Sequence, residues 1–295
     1  MALRDWAIIV ILGIGWGMSF MFNAVLLREL DPLWISTGRV GLGALGCWVF
    51  LCLRGRSWRI APSRALALAG FGALSYAAPF SFYALGQQHI ASGVAGIVNA
   101  STPALAVVVT HFWPGGERAS WRKSLGVGAG LLGIVILSLP ILQGGQPSAV
   151  WAVVVTLGAP LCYAFSVNVA RQFRDMEPVV LVAWALTGAT LCILPLALLR
   201  EGLPQAISPE AWGALAVIGF VLTSAAFIAM YWVLPRVGPT NITLPTLIAP
   251  TSAVTLGVLV LGETLAPSHL AGLLAILFGL LLIDGRLFRR RAIVA

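Results

Sequence analysis

The chain has 295 residues, of which 59% are hydrophobic and only 9% are charged. Soluble domains carry about 25% charged residues, so this composition excludes an ordinary globular surface. The net charge of +8 does not indicate a nucleic-acid partner, because the basic residues lie in short segments between apolar runs. The composition therefore predicts an all-α integral membrane protein whose surface mostly faces the lipid bilayer.

Ten apolar runs are long enough to cross the hydrocarbon core, which takes about 20 helical residues. In chain order, they are 5–27, 33–53, 64–87, 92–113, 121–141, 149–172, 178–199, 210–234, 238–262 and 267–284. The segments between these runs are short, so we expect no soluble domain within them. The first run is treated as mature structure because Asp5 lies beside Arg4 and no small-residue cleavage site is present.

The basic residues between the ten runs fall almost entirely on one side of the membrane. Fifteen of the 18 Lys and Arg residues lie on that side, while only Arg28 and Arg200 lie on the other. Cytoplasmic segments of membrane proteins carry such an excess of basic residues. We therefore predict a multi-pass protein of the bacterial inner membrane with both termini in the cytoplasm.

The two halves of the chain repeat one another at an offset of about 146 residues. The segment at 28–32 matches 174–178 with like residues at every position, and Glu117 matches Glu263. Such agreement at several positions in one order predicts a duplication of one five-helix unit.

We place the first repeat at residues 1–143 and the second at residues 144–295. Each holds five spans, an odd number, so the second must enter the membrane from the opposite side. Inverted repeats of this kind are typical of secondary transporters, whose substrates bind near the midplane between the repeats.

The chain resembles the EamA branch of the drug/metabolite transporter superfamily. The resemblance rests on residues 16–20 (WGMSF), on Asp31-Pro32 followed by Arg39, and on Glu117 and Glu263, each followed nine residues later by glycine. It covers nearly the whole chain, and within the family the chain is most similar to an exporter of aromatic amino acids. The resemblance implies a ten-helix transporter that uses no cofactor, is not an enzyme and works as a monomer.

Polar and aromatic residues recur at helical spacing on several spans, and such residues are costly in a bilayer unless they face protein or water. A central cavity is one interpretation, and hydrogen bonding between helices is the other. The candidate substrate-binding residues are Trp16, Ser19, Asn23, Tyr76, Tyr83, Asn99, Ser101, Tyr163, Ser166, Ser224, Phe227, Tyr231 and Thr243. Aromatic walls with uncharged polar groups suit a small zwitterion that has an apolar side chain.

The charged residues inside the spans are few. Arg39 is interpreted mainly as structural, with contact to a substrate carboxylate as the alternative. No Asp or Glu lies in the middle of a span, which favours facilitated export down a gradient over proton or sodium coupling.

Export of small amphipathic metabolites, most of all aromatic or neutral amino acids, is therefore the first hypothesis. A nucleotide-sugar or lipid-linked carrier, an intramembrane enzyme and a passive accessory protein are the alternatives. A nucleotide-sugar or lipid-linked carrier would need several basic residues to bind phosphate. An intramembrane enzyme is disfavoured because the spans contain neither an HExxH nor a GxSxG motif. The four cysteines lie in apolar runs without CxxC spacing, so we expect no metal site.

Overall fold

The computed structural model describes residues 2–143, 147–204, 206–242 and 244–284. In these ranges nine helices are long and apolar enough to span a membrane, and a tenth has 17 residues. We number them α1 to α10 in chain order. They are α1 (Leu3–Leu26), α2 (Pro32–Leu53), α3 (Pro62–Gly86), α4 (Ser92–Phe112), α5 (Trp121–Pro140), α6 (Ala149–Phe173), α7 (Pro178–Glu201), α8 (Pro209–Gly238), α9 (Pro245–Leu261) and α10 (Pro267–Asp284). The prediction of an all-α, ten-helix membrane protein is confirmed.

Proline marks the start of many of these helices. The helices that begin in this way are α2, α3, α7, α8, α9 and α10. Proline suits the first helical turn because its fixed φ is already helical and the N–H that it lacks would have no partner there. The predicted spans consequently begin within two residues of the observed helices, with one exception.

The exception is the ninth span, which we expected to begin at residue 238. Gly238 has a φ of +78°, a conformation outside the helical region, and α9 itself begins at Pro245. At about 1.5 Å per residue, α9 is about 25 Å long, which is shorter than the roughly 30 Å of a hydrocarbon core.

The ten helices pack with a twofold pattern that relates the two halves. The contact between α1 and α9 corresponds to the contact between α6 and α4 in the other half. In the same way, α3 packs on α6 and α8 packs on α1. Finally, the contact between α3 and α7 corresponds to the contact between α8 and α2. The pairs α2–α7 and α5–α10 each consist of two equivalent helices. Exchanging the halves therefore turns each of these packed helix pairs into another packed pair, as expected for two copies of one unit. The boundary between residues 143 and 144 stays a prediction, since residues 144–146 lie outside the described ranges.

Helices α5 and α10 form a close pair held together by glycine. A Cβ atom on Gly133 would lie 2.7 Å from the carbonyl oxygen of Gly272, and one on Gly126 would lie 2.5 Å from that of Gly279. Such small residues allow membrane helices to approach closely, where dispersion forces and backbone contacts stabilise the pair. The other eight helices surround the centre of the molecule.

Candidate functional site

A cavity of about 260 Å³ lies between the two halves, in the middle of the described helices. Seven helices contribute to its wall: α1, α2, α3 and α4 of the first half, and α6, α8 and α9 of the second. Seven of the residues that the sequence suggested line it, namely Trp16, Ser19, Tyr76, Tyr83, Asn99, Tyr163 and Phe227. Seven further residues also line it: Phe20, Arg39, Phe80, Thr102, Leu222, Thr246 and Ala249.

Aromatic rings form most of the wall and contact one another. Phe227 lies 5.4 Å from Tyr76 and 6.3 Å from Trp16, measured between ring centroids. On the other side, Tyr83 lies 5.1 Å from Phe20 and 6.5 Å from Tyr163. These spacings fall in the range of favourable aromatic pairs, so the rings support each other's positions around the cavity.

A break in α4 turns Asn99 toward this aromatic wall. Pro103 has no N–H to donate to the carbonyl of Asn99 four residues earlier. The hydroxyl of Thr102 donates to that carbonyl instead, at 2.7 Å. The side-chain oxygen of Asn99 accepts a 2.6 Å hydrogen bond from the hydroxyl of Tyr83. Two neutral polar groups are thereby fixed at the cavity.

Two π-helical segments occupy equivalent places in the repeats. They are Ala73–Ala77 in α3 and Val217–Ala225 in α8. In this part of the chain the offset is 148 residues, which pairs Tyr83 with Tyr231, and the first segment then matches residues 221–225 of the second. Such insertions of an extra residue per turn occur often at functional sites, because they redirect side chains. Tyr76 lies in the first segment and Leu222 in the second, and both line the cavity.

Five other candidate residues lie outside the cavity lining: Asn23, Ser101, Ser166, Ser224 and Tyr231. The hydroxyls of Ser101 and Ser224 donate to carbonyls of their own helices at 2.7 Å, and Asn23 donates to Gln87. For the two serines, local bonding of this kind satisfies the hydroxyl without a cavity. The remaining candidate, Thr243, lies outside the described residues.

Arg39 is the one charged residue among those that line the cavity in the described structure. It is 6% exposed, and its guanidinium carbon lies 3.8 Å from the centroid of the Phe80 ring. Its Nε donates to the hydroxyl of Thr223 at 3.2 Å, and its Nη2 donates to that of Ser19 at 3.3 Å. An arginine at the centre of a membrane helix costs about 2.5–3.5 kcal/mol on insertion scales. One signal in the sequence marks this position, since Arg39 is the sole basic residue well inside a predicted span.

Carboxylates cap three helix N-termini at the end of the bundle where α4 begins, which we name the capped end. Glu263, after α9, accepts from the backbone N–H groups of Ser92 and Gly93 at the start of α4, at 2.7 and 3.0 Å. Glu201, at the end of α7, accepts likewise from Leu33 and Trp34 at the start of α2. Each bond joins two different helices and neutralises the positive end of a helix dipole.

Glu29 supplies the third cap, on α8. Its carboxylate accepts from the N–H and the hydroxyl of Ser208, both at 2.7 Å. These two hydrogen bonds stabilise the charged form and lower the pKa of the Glu29 carboxyl below its usual value of 4.5.

The opposite end of the bundle is joined differently. Arg236 bonds to Asp5 at 2.9 Å and ties α8 to α1, and Arg64 pairs with Asp175 at the surface. Glu117, the counterpart of Glu263, caps no helix in the described structure; it pairs with Lys123 at 2.6 Å, and its side chain is 72% exposed. The two ends therefore differ although their sequences repeat.

No group of three or more His, Cys, Asp or Glu side chains in the described ranges could hold a metal ion. The four cysteines are free thiols.

A duplicated ten-helix membrane fold with a cavity between its halves is typical of secondary transporters. The EamA-like transporter family matches residues 6–139 and 150–284, so the chain belongs to this family. It is similar to the uncharacterized transporter YoaV of Bacillus subtilis, with 22% identity over 94% of this chain and 95% of the relative. It is also 26% identical to the uncharacterized inner membrane transporter YedA of Escherichia coli, over 95% and 91% of the two chains.

A third relative is a probable terminal-alkyne amino-acid exporter of Streptantibioticus cattleyicolor, 23% identical over 70% of this chain and 68% of the relative. A solved crystal structure covers 98% of this chain and 99% of its own, with a TM-score of 0.69 and 18% identity, and shows the same fold. The expected closer resemblance to an aromatic amino-acid exporter is not supported by these relatives. They support the coarser statement that the chain is a transporter.

Proposed function

We propose that this transporter exports small amphipathic metabolites, with aromatic or neutral amino acids as the preferred class. The observation that carries the proposal is the cavity wall, in which seven aromatic residues surround a few fixed neutral polar groups. The rings offer apolar area and stacking faces for a hydrophobic side chain. The Asn99 amide and the Tyr83 hydroxyl offer hydrogen bonds for a zwitterionic head group.

The difference between the two ends supports alternating access. From Ser92 to Val98, at the capped end, α4 is buried, whereas beyond its break only Ala104 is buried among the described residues of that helix. More of α4 is thus buried toward the capped end than toward the other, which supports a cavity closed on the capped side. The excess of basic residues at the other end supports a periplasmic location for the capped end. The structure would then be a state that receives substrate from the cytoplasm.

Transport would then require the caps at the periplasmic end to separate while the cytoplasmic end closes. The inverted repeat provides the means, because each half can adopt the arrangement that the other half has now. Glu117 would then take the role of Glu263 and cap the cytoplasmic start of α9. No carboxylate lines the cavity in the described structure, which favours flux down a substrate gradient without proton coupling.

The test is a flux measurement on purified protein in liposomes, with radiolabelled tryptophan, phenylalanine, leucine and alanine and with an imposed substrate gradient. We expect saturable flux for the aromatic amino acids that persists in the presence of a proton ionophore. Replacing Trp16 with alanine removes part of the wall and should lower the flux at least tenfold. Trp212→Ala is the matched control, since Trp212 is 58% exposed and lies away from the cavity.

Absence of flux for every amino acid would refute the proposal and favour a carrier of another metabolite class or a passive accessory protein. Nucleotide sugars and lipid-linked sugars belong in the same panel as those alternatives. They fit the cavity poorly because the described wall offers one cation, whereas a diphosphate is normally held by several.

A further inference from the structure

The guanidinium of Arg39 lies at the cavity with an incomplete set of partners. A guanidinium has five N–H donors. Two of them, on Nε and Nη2, donate to the hydroxyls of Thr223 and Ser19. In the described structure the two N–H groups of Nη1 and the second one of Nη2 make no hydrogen bond.

The charge of Arg39 is not neutralised by the protein either. Among the described residues no carboxylate forms an ion pair with it, and the hydroxyls that it contacts are neutral. Arginine and carboxylate side chains inside membrane proteins are normally paired with one another, since an isolated charge is poorly solvated there. A substrate that brings its own negative charge would supply the missing partner.

The surroundings of Arg39 hold its guanidinium in one orientation. The Phe80 ring stacks at 3.8 Å on one face, and the two hydroxyls fix one edge of the plane. The other edge, with Nη1 and the second N–H of Nη2, is the planar fork that binds a carboxylate through two parallel hydrogen bonds. Because the fork is fixed before binding, little conformational entropy is lost when the carboxylate binds.

We propose that Arg39 is the specificity-determining residue of the cavity and binds the carboxylate of the substrate. The proposal rests on the proposed function and deepens it, because it makes a single carboxylate an obligatory feature of the substrate. The apolar part of the substrate then lies against Tyr76, Phe227 and Trp16, which are on the same cavity wall. A substrate amine has no acidic partner among the described lining residues, and it would be held by the hydroxyl oxygen of Tyr83 and by aromatic faces.

The experiment compares acids with the carboxamides in which an uncharged amide replaces the carboxylate, on purified protein, by calorimetry and by competition in the liposome flux assay. The pairs are tryptophan and tryptophanamide, phenylalanine and phenylalaninamide, and indole-3-acetate and indole-3-acetamide. Hydrogen bonds to a charged group are the strong ones. We therefore expect the wild-type protein to bind each acid about 10- to 100-fold more tightly than its amide.

Two substitutions assign this preference to Arg39. Arg39→Gln should reduce the preference to within about threefold, chiefly by weakening the binding of the acids. Measurable binding of the amides shows that the variant is folded. Arg39→Lys keeps the charge but loses the planar fork. It should weaken acid binding by about tenfold. If Arg39→Gln does not fold, the lysine variant and the wild-type pairs still decide the question.

Several results would overturn the proposal: equal affinity of the wild type for acids and amides, binding of neither, or a preference for acids that survives Arg39→Gln. Amino-acid flux without a preference for acids would refute the role of Arg39 and leave the exporter proposal standing. An Arg39-dependent preference for indole-3-acetate without any amino-acid flux would support the role of Arg39 and refute the exporter proposal.

Discussion

The Glu263 cap offers the sharpest test of how the two ends of this transporter alternate. Glu263 lies just after Gly262, whose φ of +67° ends α9 in the left-handed conformation and directs the chain toward α4. Gly257 makes room for the carboxylate, since a Cβ atom at that position would clash with its Oε2 atom. The carboxylate then accepts from Ser92 and Gly93.

Replacing Glu263 with glutamine keeps the size of the side chain but removes its charge. Hydrogen bonds to a charged acceptor each contribute about 1.5–3 kcal/mol, against about 0.5–1.5 kcal/mol for neutral ones. The glutamine retains one oxygen acceptor, so one strong bond becomes a neutral bond and the other is lost. The site is partly buried, so water replaces part of the lost bonding. We therefore expect the capped state to lose about 2 kcal/mol of stability relative to the open state. That amount shifts the equilibrium between the two states about 30-fold toward opening at the capped end.

The assay measures access to the cavity from outside the cell. A single cysteine replaces the cavity-lining Ala249 in a chain whose four native cysteines have been removed. A membrane-impermeant maleimide is then added to intact cells. We expect its rate of reaction with this cysteine to rise about 30-fold in the Glu263→Gln variant.

Glu117→Gln is the matched control, since it changes the equivalent residue of the other repeat. Glu117 caps no helix in the described structure, so its substitution should not raise external labelling. An unchanged rate in the Glu263→Gln variant, or an equal rise in both variants, would refute the assignment of the capped end as the closed gate.

Two further predictions concern stability. Gly133→Val places a side chain against Ile276 and the backbone of α10, and should lower the melting temperature by several degrees, whereas Gly128→Val, which has open space around its Cβ position, should not. For Glu29, hydrogen bonding to Ser208 lowers the carboxyl pKa in the folded state, so its stabilising effect is present above the usual value of 4.5 and is lost as the pH falls through the lowered pKa. Thermal unfolding of the wild type and of Glu29→Gln should therefore differ at pH 7 and converge at the lowest pH values; a constant difference would contradict this account.

The sequence by itself determined the helices and their number. Membrane insertion depends on the local run of apolar residues, and proline at the first turn marks where many helices begin. The ninth span was the one misplaced start, because a left-handed glycine at position 238 followed by proline interrupts an otherwise apolar run. The internal repeat was likewise readable, since it needs only the comparison of residues at a constant offset.

Only the tertiary structure decided which polar side chains reach the cavity. Helical spacing places Ser101 near Asn99, but the hydroxyl of Ser101 bonds to its own helix while the broken turn frees the Asn99 side chain for Tyr83. The same holds for the charged residues. Glu117 and Glu263 are equivalent in sequence, yet one caps a helix and the other pairs with a neighbouring lysine at the surface. The reason is physical: a repeat of residues fixes two equivalent sets of contacts, and a transporter in one state can form only one of them at a time.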